Sequence, residues 1–187
     1  MNVMLDLETL STRSNATILV IAAIKFKNNV NIPEEMSEEN LSKMDTFYKR
    51  ITFDINNNNT KYHIDKKTLE WWNKQSDEVC YEALKHPDRI SLKDALQQFA
   101  DWIQNEGTDV KIYGNGSSFD VTIITEAFAI EEIPIPWKFW MVRDLRTVMD
   151  LGNVRMYSLP TEKQHHALYD CYRQIIGYQR SMKNIKK

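Results

Sequence analysis

Three short stretches of this sequence bring together residue types suited to acid–base and metal chemistry. The first is "DLE", with Asp6 and Glu8 inside the apolar run "NVMLDLETL". Val3, Leu5 and Leu7 alternate with Met4, Asp6 and Glu8, the pattern of a β-strand, in which every second side chain shares a face. Two carboxylates on one face repel each other unless the face is solvated or something positive lies between them. The second stretch is "YGNGSSFD", Tyr113 to Asp120. Two glycines end an apolar strand, Ser117 or Ser118 is placed to cap the following helix, and Asp120 falls in its first turn. An acid there is also what the helix dipole alone favours, and the stretch lacks the Gly-Lys-Ser/Thr ending of a phosphate loop. The third is "HHALYD", His165 to Asp170. On a continuous helix His166 and Asp170 share a face, whereas His165 and Asp170 diverge by about 140°. Two readings stand. A helix that starts at a Thr161–Gln164 capping box takes His165 inside it, and a later start leaves His165 on a loop, free to point into a site.

Taken together the stretches supply four carboxylates and a histidine. Clustered carboxylates without counter-charge destabilise a fold, so a functional cluster should bind cations. Oxygen ligands without cysteine favour hard ions such as Mg²⁺ or Mn²⁺. Two such ions ~3.5–4 Å apart can activate a water and stabilise a leaving oxygen in phosphodiester cleavage. A histidine is the natural general base, because its pKa lies near neutrality.

The framework around these residues is read from pattern. The 187 residues suit one domain, 1–187, with a full core. Strand-like segments span Asn2 to Glu8, Thr17 to Phe26 and Thr46 to Phe53, and the short link "TLSTRSNA" lets the first two pair antiparallel. A polar segment separates the second and third. The run Asn56 to Asn59 reads as a surface turn. Helical spacing then appears in "IDKKTLEWWNKQS" and in "SLKDALQQFADWIQNE", whose Leu92, Leu96, Phe99, Ala100 and Ile103 form one stripe behind a Ser91–Asp94 cap. "DVKIYGNG" reads as a buried strand, and "SSFDVTIITEAFAI", "RDLRTVMDLG" and "HHALYDCYRQIIGYQRSM" as helices. The order predicts one α/β domain with a mixed sheet.

Composition sets the setting. A net charge of −2 and a pI near 6.1 advertise no global basic field, so a polyanion would be met by local basic patches or bound cations. Cys80 and Cys171 have no metal-ligand spacing and suggest no disulfide framework, which points to a reducing cytoplasm. The longest apolar run, Ile18 to Ile24, is too short to span a bilayer, and residues 1–25 do not read as a signal peptide.

In order, D-x-E, G-N-G-x-x-F-D and H-x-A-L-x-D resemble the three motifs of the DEDDh 3'-5' exonucleases. "TLEWWNKQ" and "RDLRTVMD" resemble a subfamily of phage exonucleases and bacterial 3'-5' exoribonucleases. The resemblance spans roughly Asn2 to Gln179. It implies a ribonuclease H-like fold, with a five-stranded sheet made of a three-stranded antiparallel meander plus parallel strands, flanked by helices. It implies a 3'-5' exonuclease that releases nucleoside 5'-monophosphates from single-stranded 3' ends. Asp6, Glu8 and Asp170 would hold two Mg²⁺ or Mn²⁺ ions with Asp120 helping at the second, and His165 would be the base. Thr9 and Leu10 would face the terminal nucleotide, joined by Asn115 and Phe119 of the second motif. Relatives often form homodimers. A polar insert around Asn31 to Ser42 departs from the pattern and bears on substrate access.

Adjacent helical positions differ by about 100°, so Trp71 and Trp72 cannot both face the core. In one reading one is core and its neighbour half exposed; in the other, one stacks on a base. Lys61, Lys66, Lys67 and Lys74 around them are either phosphate contacts or a solvated face. The competing functional class is a nucleic-acid-binding module without activity. DNA and RNA are not distinguished by these motifs.

Overall fold

A computed structural model describes residues 1–56, 61–104 and 109–186. The Asn57–Asn59 part of the expected turn, and Asn105 and Glu106 at the end of an expected helix, lie outside the described residues. Five strands are present: β1 (Asn2–Thr9), β2 (Ile18–Phe26), β3 (Asp45–Arg50), β4 (Lys111–Gly114) and β5 (Val142–Asp144). The helices are α1 (Glu38–Ser42), α2 (Lys66–Trp72), α3 (Asp77–Cys80), α4 (Leu92–Gln104), α5 (Asp120–Ile130), α6 (Leu145–Leu151) and α7 (Ala167–Ile185). The sheet order is β3-β2-β1-β4-β5. β1, β2 and β3 pair antiparallel, while β4 and β5 run parallel to β1 and β4 respectively. This is the expected mixed sheet of a ribonuclease H-like α/β fold.

β1 is the central strand, and its alternation is read out on both faces. Val3, Leu5 and Leu7 pack with Leu96 and Phe99 of α4 and Ile124 and Phe128 of α5. Met4 packs on the other face with Leu145 of α6 and Cys171, Ile175 and Ile176 of α7. Asp6 and Glu8 continue the Met4 face, so the period-2 strand aims both carboxylates at α7. β1 pairs with β4 only over Asn2–Met4. Beyond Gly114 the β4 chain turns away, opening a crevice at the carboxyl ends of β1 and β4, where open α/β sheets bind ligands.

Several boundaries differ from expectation. β3 stops at Arg50 because the Ile51 N–H turns to Leu19 O (2.8 Å) and the Thr52 N–H to Ile90 O (2.8 Å). Arg143 and Asp144 are strand, and the helix expected from Arg143 begins at Leu145. The Ser91 hydroxyl caps α4 by accepting from the Asp94 N–H (3.1 Å), as expected. Neither Ser117 nor Ser118 caps α5. That helix begins at Asp120 with no side-chain cap, and the Ser117 N–H instead donates to Asp144 Oδ2 (2.7 Å). Asp144 also caps α6 through the Thr147 N–H (2.8 Å), so one carboxylate ties the turn after β4 to α6.

The polar insert clamps α7. The Ile32 N–H donates to Gln179 Oε1 (2.6 Å), the Tyr172 hydroxyl donates to Pro33 O (2.8 Å), and Arg180 pairs with Glu34 (2.6 Å). Among the described residues no helix is long and apolar enough to cross a membrane.

Candidate active site

A cleft of about 330 Å³ opens at the carboxyl ends of β1 and β4. Its walls include Asp6, Glu8, Asn115, Phe119, Asp120, His165 and Asp170, contributed by all three stretches singled out in the sequence. One carboxylate oxygen each of Asp6, Glu8 and Asp170 lies within 4.8 Å of the other two. Two neighbouring strand positions and one helix position thus converge on a point. An all-oxygen, all-anionic donor set of this size fits a hard divalent cation. Asp120 stands outside this group of three. Its Oδ1 accepts the Leu7 N–H (3.1 Å), a donor that β1 keeps free because β4 has already turned away.

The two histidines separate cleanly. α7 begins at Ala167 with His166 as its N-cap residue, so the Thr161–Gln164 capping box is not used. His165 sits on the preceding turn with φ 64, a left-handed conformation, and lines the cleft. Its N–H donates to Asp170 Oδ2 (2.8 Å). His166 faces away. Its ring stacks on Tyr48 (centroids 5.3 Å) and meets Tyr169 edge-on (5.0 Å). No His166–Asp170 pair forms among the described residues. Asp170 has Arg173 beside it, with Nη1 3.9 Å from Oδ1.

The tryptophans divide as their helical phase requires. Trp72 is 1% exposed and donates its indole N–H to Thr9 O (2.9 Å), pinning the end of β1. Trp71 is 40% exposed and meets the His165 ring edge-on at 4.9 Å. A second, adjoining cleft of about 320 Å³ shares Leu7, Glu8 and Phe119 with the first and adds Thr9, Ser11, Lys67 and Trp71. Leu10 does not face either cleft. It packs in the core below α7, on the Met4 side of the sheet, and its backbone is consumed by Thr17 O (2.9 Å) and the Asp65 N–H (2.7 Å). Trp72 forms the buried floor of the second cleft beside Trp71, its indole held by Thr9. No residue of the insert 31–42 lines the first cleft.

The electrostatics reflect enclosure. Burial, reinforced by Asp120, Asp170 and Glu8, pushes the Asp6 carboxyl well above its usual range. Burial and the neighbouring Asp170 and Asp120 raise Glu8. Asp120 is pushed up to about 7 by burial, opposed by the Leu7 N–H. Asp170 is raised by burial, opposed by the His165 N–H. Each carboxylate therefore sits in a place that disfavours its negative charge unless a cation shares the cleft.

With this geometry in hand, comparison with known proteins assigns the family. The sequence profile of the 3'-5' exoribonuclease Rv2179c-like domain matches residues 1–180. The chain belongs to this family of 3'-5' exonucleases. An exodeoxyribonuclease of Enterobacteria phage T4 is 27% identical over 197 residues, covering 92% of this chain and 85% of that protein. Among solved structures, cell-death related nuclease 4 (CRN-4) superposes with a TM-score of 0.62 at 17% identity, covering 98% of this chain and 64% of that one, so this chain spans just under two thirds of it. The nuclease domain of 3'hExo, a DEDDh family member bound to rAMP, gives 0.54 at 12% identity, with 99% and 91% covered. S. pombe Pop2p, in a form with Mg²⁺ and Mn²⁺ bound, gives 0.55 at 13%, with 98% and 81% covered. The 3'-5' exonuclease family expected from the motifs is therefore shown, and these solved nucleases share the fold.

Among the cleft residues, Met156, Gln164, Arg173 and Gln174 lie outside the stretches quoted for the family, and Arg146 lies within "RDLRTVMD", where the resemblance assigns it no role. A cue for Gln174 does exist, because it stands four residues after Asp170 and so shares its helix face.

Proposed function

We propose that this protein is a divalent-metal-dependent exonuclease that removes nucleoside 5'-monophosphates one at a time from single-stranded 3' ends. The observation that carries the reading is the convergence of Asp6, Glu8 and Asp170 within 4.8 Å in a cleft that also holds His165. Asp6, Glu8 and Asp170 would hold a pair of Mg²⁺ or Mn²⁺ ions, with Asp120 helping at the second. Bound there, such ions would supply neutralisation of phosphate charge and a lowered pKa of water. His165 takes a proton from the attacking water at its ring, and the Asp170 carboxylate fixes the turn that presents it. The water oxygen bonds to phosphorus, the bond to the 3' oxygen of the preceding nucleotide breaks, and that oxygen gains a proton.

Phe119 and Trp71 line the adjoining apolar cleft, where a terminal base can stack without regard to its identity. Thr9 and Asn115 supply polar contacts at the rims, and Lys67 is placed for a phosphate. A cleft this small admits one nucleotide rather than a base pair, which favours a single-stranded end. The proposal covers DNA and RNA 3' ends alike, and matched oligomers separate the two.

The test is a matched pair of 5'-labelled single-stranded DNA and RNA oligomers incubated with Mg²⁺ or Mn²⁺. A ladder shortening from the 3' end, erased by chelator, supports the reading. Products of internal cleavage, or a bound but intact oligomer, would favour an endonuclease or an inactive binding module instead.

A further inference from the structure

Gln174 is 2% exposed yet lines the catalytic cleft. Its Nε2 donates to Asp6 Oδ1 at 2.7 Å. That orientation comes from chemistry: an ionised carboxylate only accepts, so the amide must present its nitrogen. The consequence falls on the other end of the amide. Gln174 Oε1 is buried and has no hydrogen-bond partner among the described residues. Buried side-chain acceptors are almost always satisfied, and one left alone costs free energy that an apolar side chain of the same shape would avoid. Its helix neighbours Cys171, Ile175 and Ile176 belong to the core, so an apolar side chain would have company there. An amide at this place, one end on a carboxylate of the cluster and the other unpartnered, is explained by a donor that arrives with the ligand of the cleft.

We infer that Gln174 is a positioning residue of the metal centre: its amide nitrogen fixes the Asp6 carboxylate and its carbonyl oxygen accepts a hydrogen bond from a water coordinated to the cation held there. The inference rests on the metal reading proposed above and deepens it. Side chains outside the ligand set commonly orient a ligand through one hydrogen bond and so tune metal affinity. Here the i, i+4 spacing places Gln174 on the helix face of Asp170, so one helix supplies both a ligand and the group that orients a second ligand from β1. Asp6 is then held between a helix amide and the cation, with its rotamer set before the ion binds.

The test is calorimetric titration of Mn²⁺ into chelator-stripped protein, for the wild type and for Gln174→Leu, alongside thermal melting without metal. The expected result is a 10–100-fold weaker Mn²⁺ affinity in Gln174→Leu, the usual range for an outer-shell partner, with a metal-free melting temperature near that of the wild type, the relieved Oε1 offsetting the donor lost to Asp6. At saturating Mn²⁺ the KM for an oligonucleotide should match wild type, because Gln174 holds the ion's ligand rather than the substrate. If Gln174→Leu does not fold, Gln174→Asn keeps the amide one methylene short of Asp6 and should show the same loss. Wild-type Mn²⁺ affinity in whichever variant folds, or a lowered metal-free melting temperature with unchanged affinity, assigns Gln174 to packing and overturns the inference. A wild type that takes up no Mn²⁺ removes the metal reading itself, an outcome distinguishable from a packing role for Gln174.

Discussion

The main-chain N–H of His165 donates to Oδ2 of Asp170 at 2.8 Å, across the first turn of α7. Five residues apart, the two would diverge on a regular helix. They meet because His165 lies before the helix in a left-handed conformation, which folds the turn back over the helix start. One hydrogen bond thereby couples the proposed base to a proposed metal ligand, and it sets apart two adjacent histidines that sequence alone leaves interchangeable.

His165→Ala should lower kcat by ~10²–10⁴, the usual range for a lost general base, while Mn²⁺ affinity stays near wild type because the carboxylates remain. His166→Ala removes a ring packed between Tyr48 and Tyr169, so its effect should fall on stability, with kcat changing by less than about tenfold. Turnover and Mn²⁺ titration of both variants check this. If His166→Ala is the inactive one, the assignment of roles is reversed.

Legibility in the sequence differs by element. The strand that carries Asp6 and Glu8 is readable because β1 is central and its alternation is sharp from Val3 to Glu8. The α4 stripe is readable for the same reason, its phase being set by burial against the sheet. β5 is not, because three residues, Val142 to Asp144, carry no period, and Arg143 and Asp144 suit a helix start equally well. Leu10, placed at the site by the family resemblance, stays on the Met4 side of the sheet but packs in the core below α7, because its backbone is held by Thr17 and Asp65, contacts that nothing local announces. Contacts made between distant segments, such as Trp71 on His165, are set by the fold and have no signature in either segment.

Metal-free protein should gain stability as pH falls from about 8 to about 6.5. Burial raises the carboxyls of Asp6, Glu8 and Asp170 above their usual values and lifts Asp120 to about 7. The folded state then binds more protons in this window than the unfolded chain, whose carboxyls titrate near ~4, so stability rises as pH drops. Below about 6.5 an opposing effect begins, since burial holds His166 below its ordinary value and protonation then favours the unfolded chain. Thermal melts in chelator at several pH values test the sign, and Mg²⁺ should flatten the trend. Melting temperatures that drop on going from about pH 8 to about 6.5 would show that the cluster does not dominate the titration.

Asp6→Asn should abolish cleavage yet raise the metal-free melting temperature at about pH 8, because an enclosed charge facing three other carboxylates is removed. Differential scanning calorimetry in chelator reads the second effect, and a lower melting temperature would mean that Asp6 carries a structural duty beyond the cleft.

Gly152 ends α6 where it crosses α7. A Cβ there would stand 2.4 Å from Ser181 Cα, a backbone atom that cannot swing aside. Gly152→Ala should therefore cost about 3 kcal/mol, the upper part of the range for overpacking. Gly116 contrasts with it. It has room for a Cβ, but its φ of +99 lies where only glycine is at ease, so Gly116→Ala should cost about 1–3 kcal/mol through strain and should also disturb the turn that carries Asp120. Denaturant unfolding of both variants, with turnover measured beside it, separates them: Gly152→Ala should keep kcat in its folded fraction and Gly116→Ala should not.

Cleavage, on the proposed mechanism, requires cations held by Asp6, Glu8 and Asp170. Following Mn²⁺ binding and nucleotide release in one titration, for wild type and for Asp6→Asn/Glu8→Gln/Asp170→Asn, puts that requirement to the test. Release from a single-stranded 3' end should rise with Mn²⁺ occupancy in the wild type, and the triple variant should fold but neither bind Mn²⁺ tightly nor release nucleotide. Cleavage by the wild type in excess chelator, or tight Mn²⁺ binding by the triple variant, would contradict it.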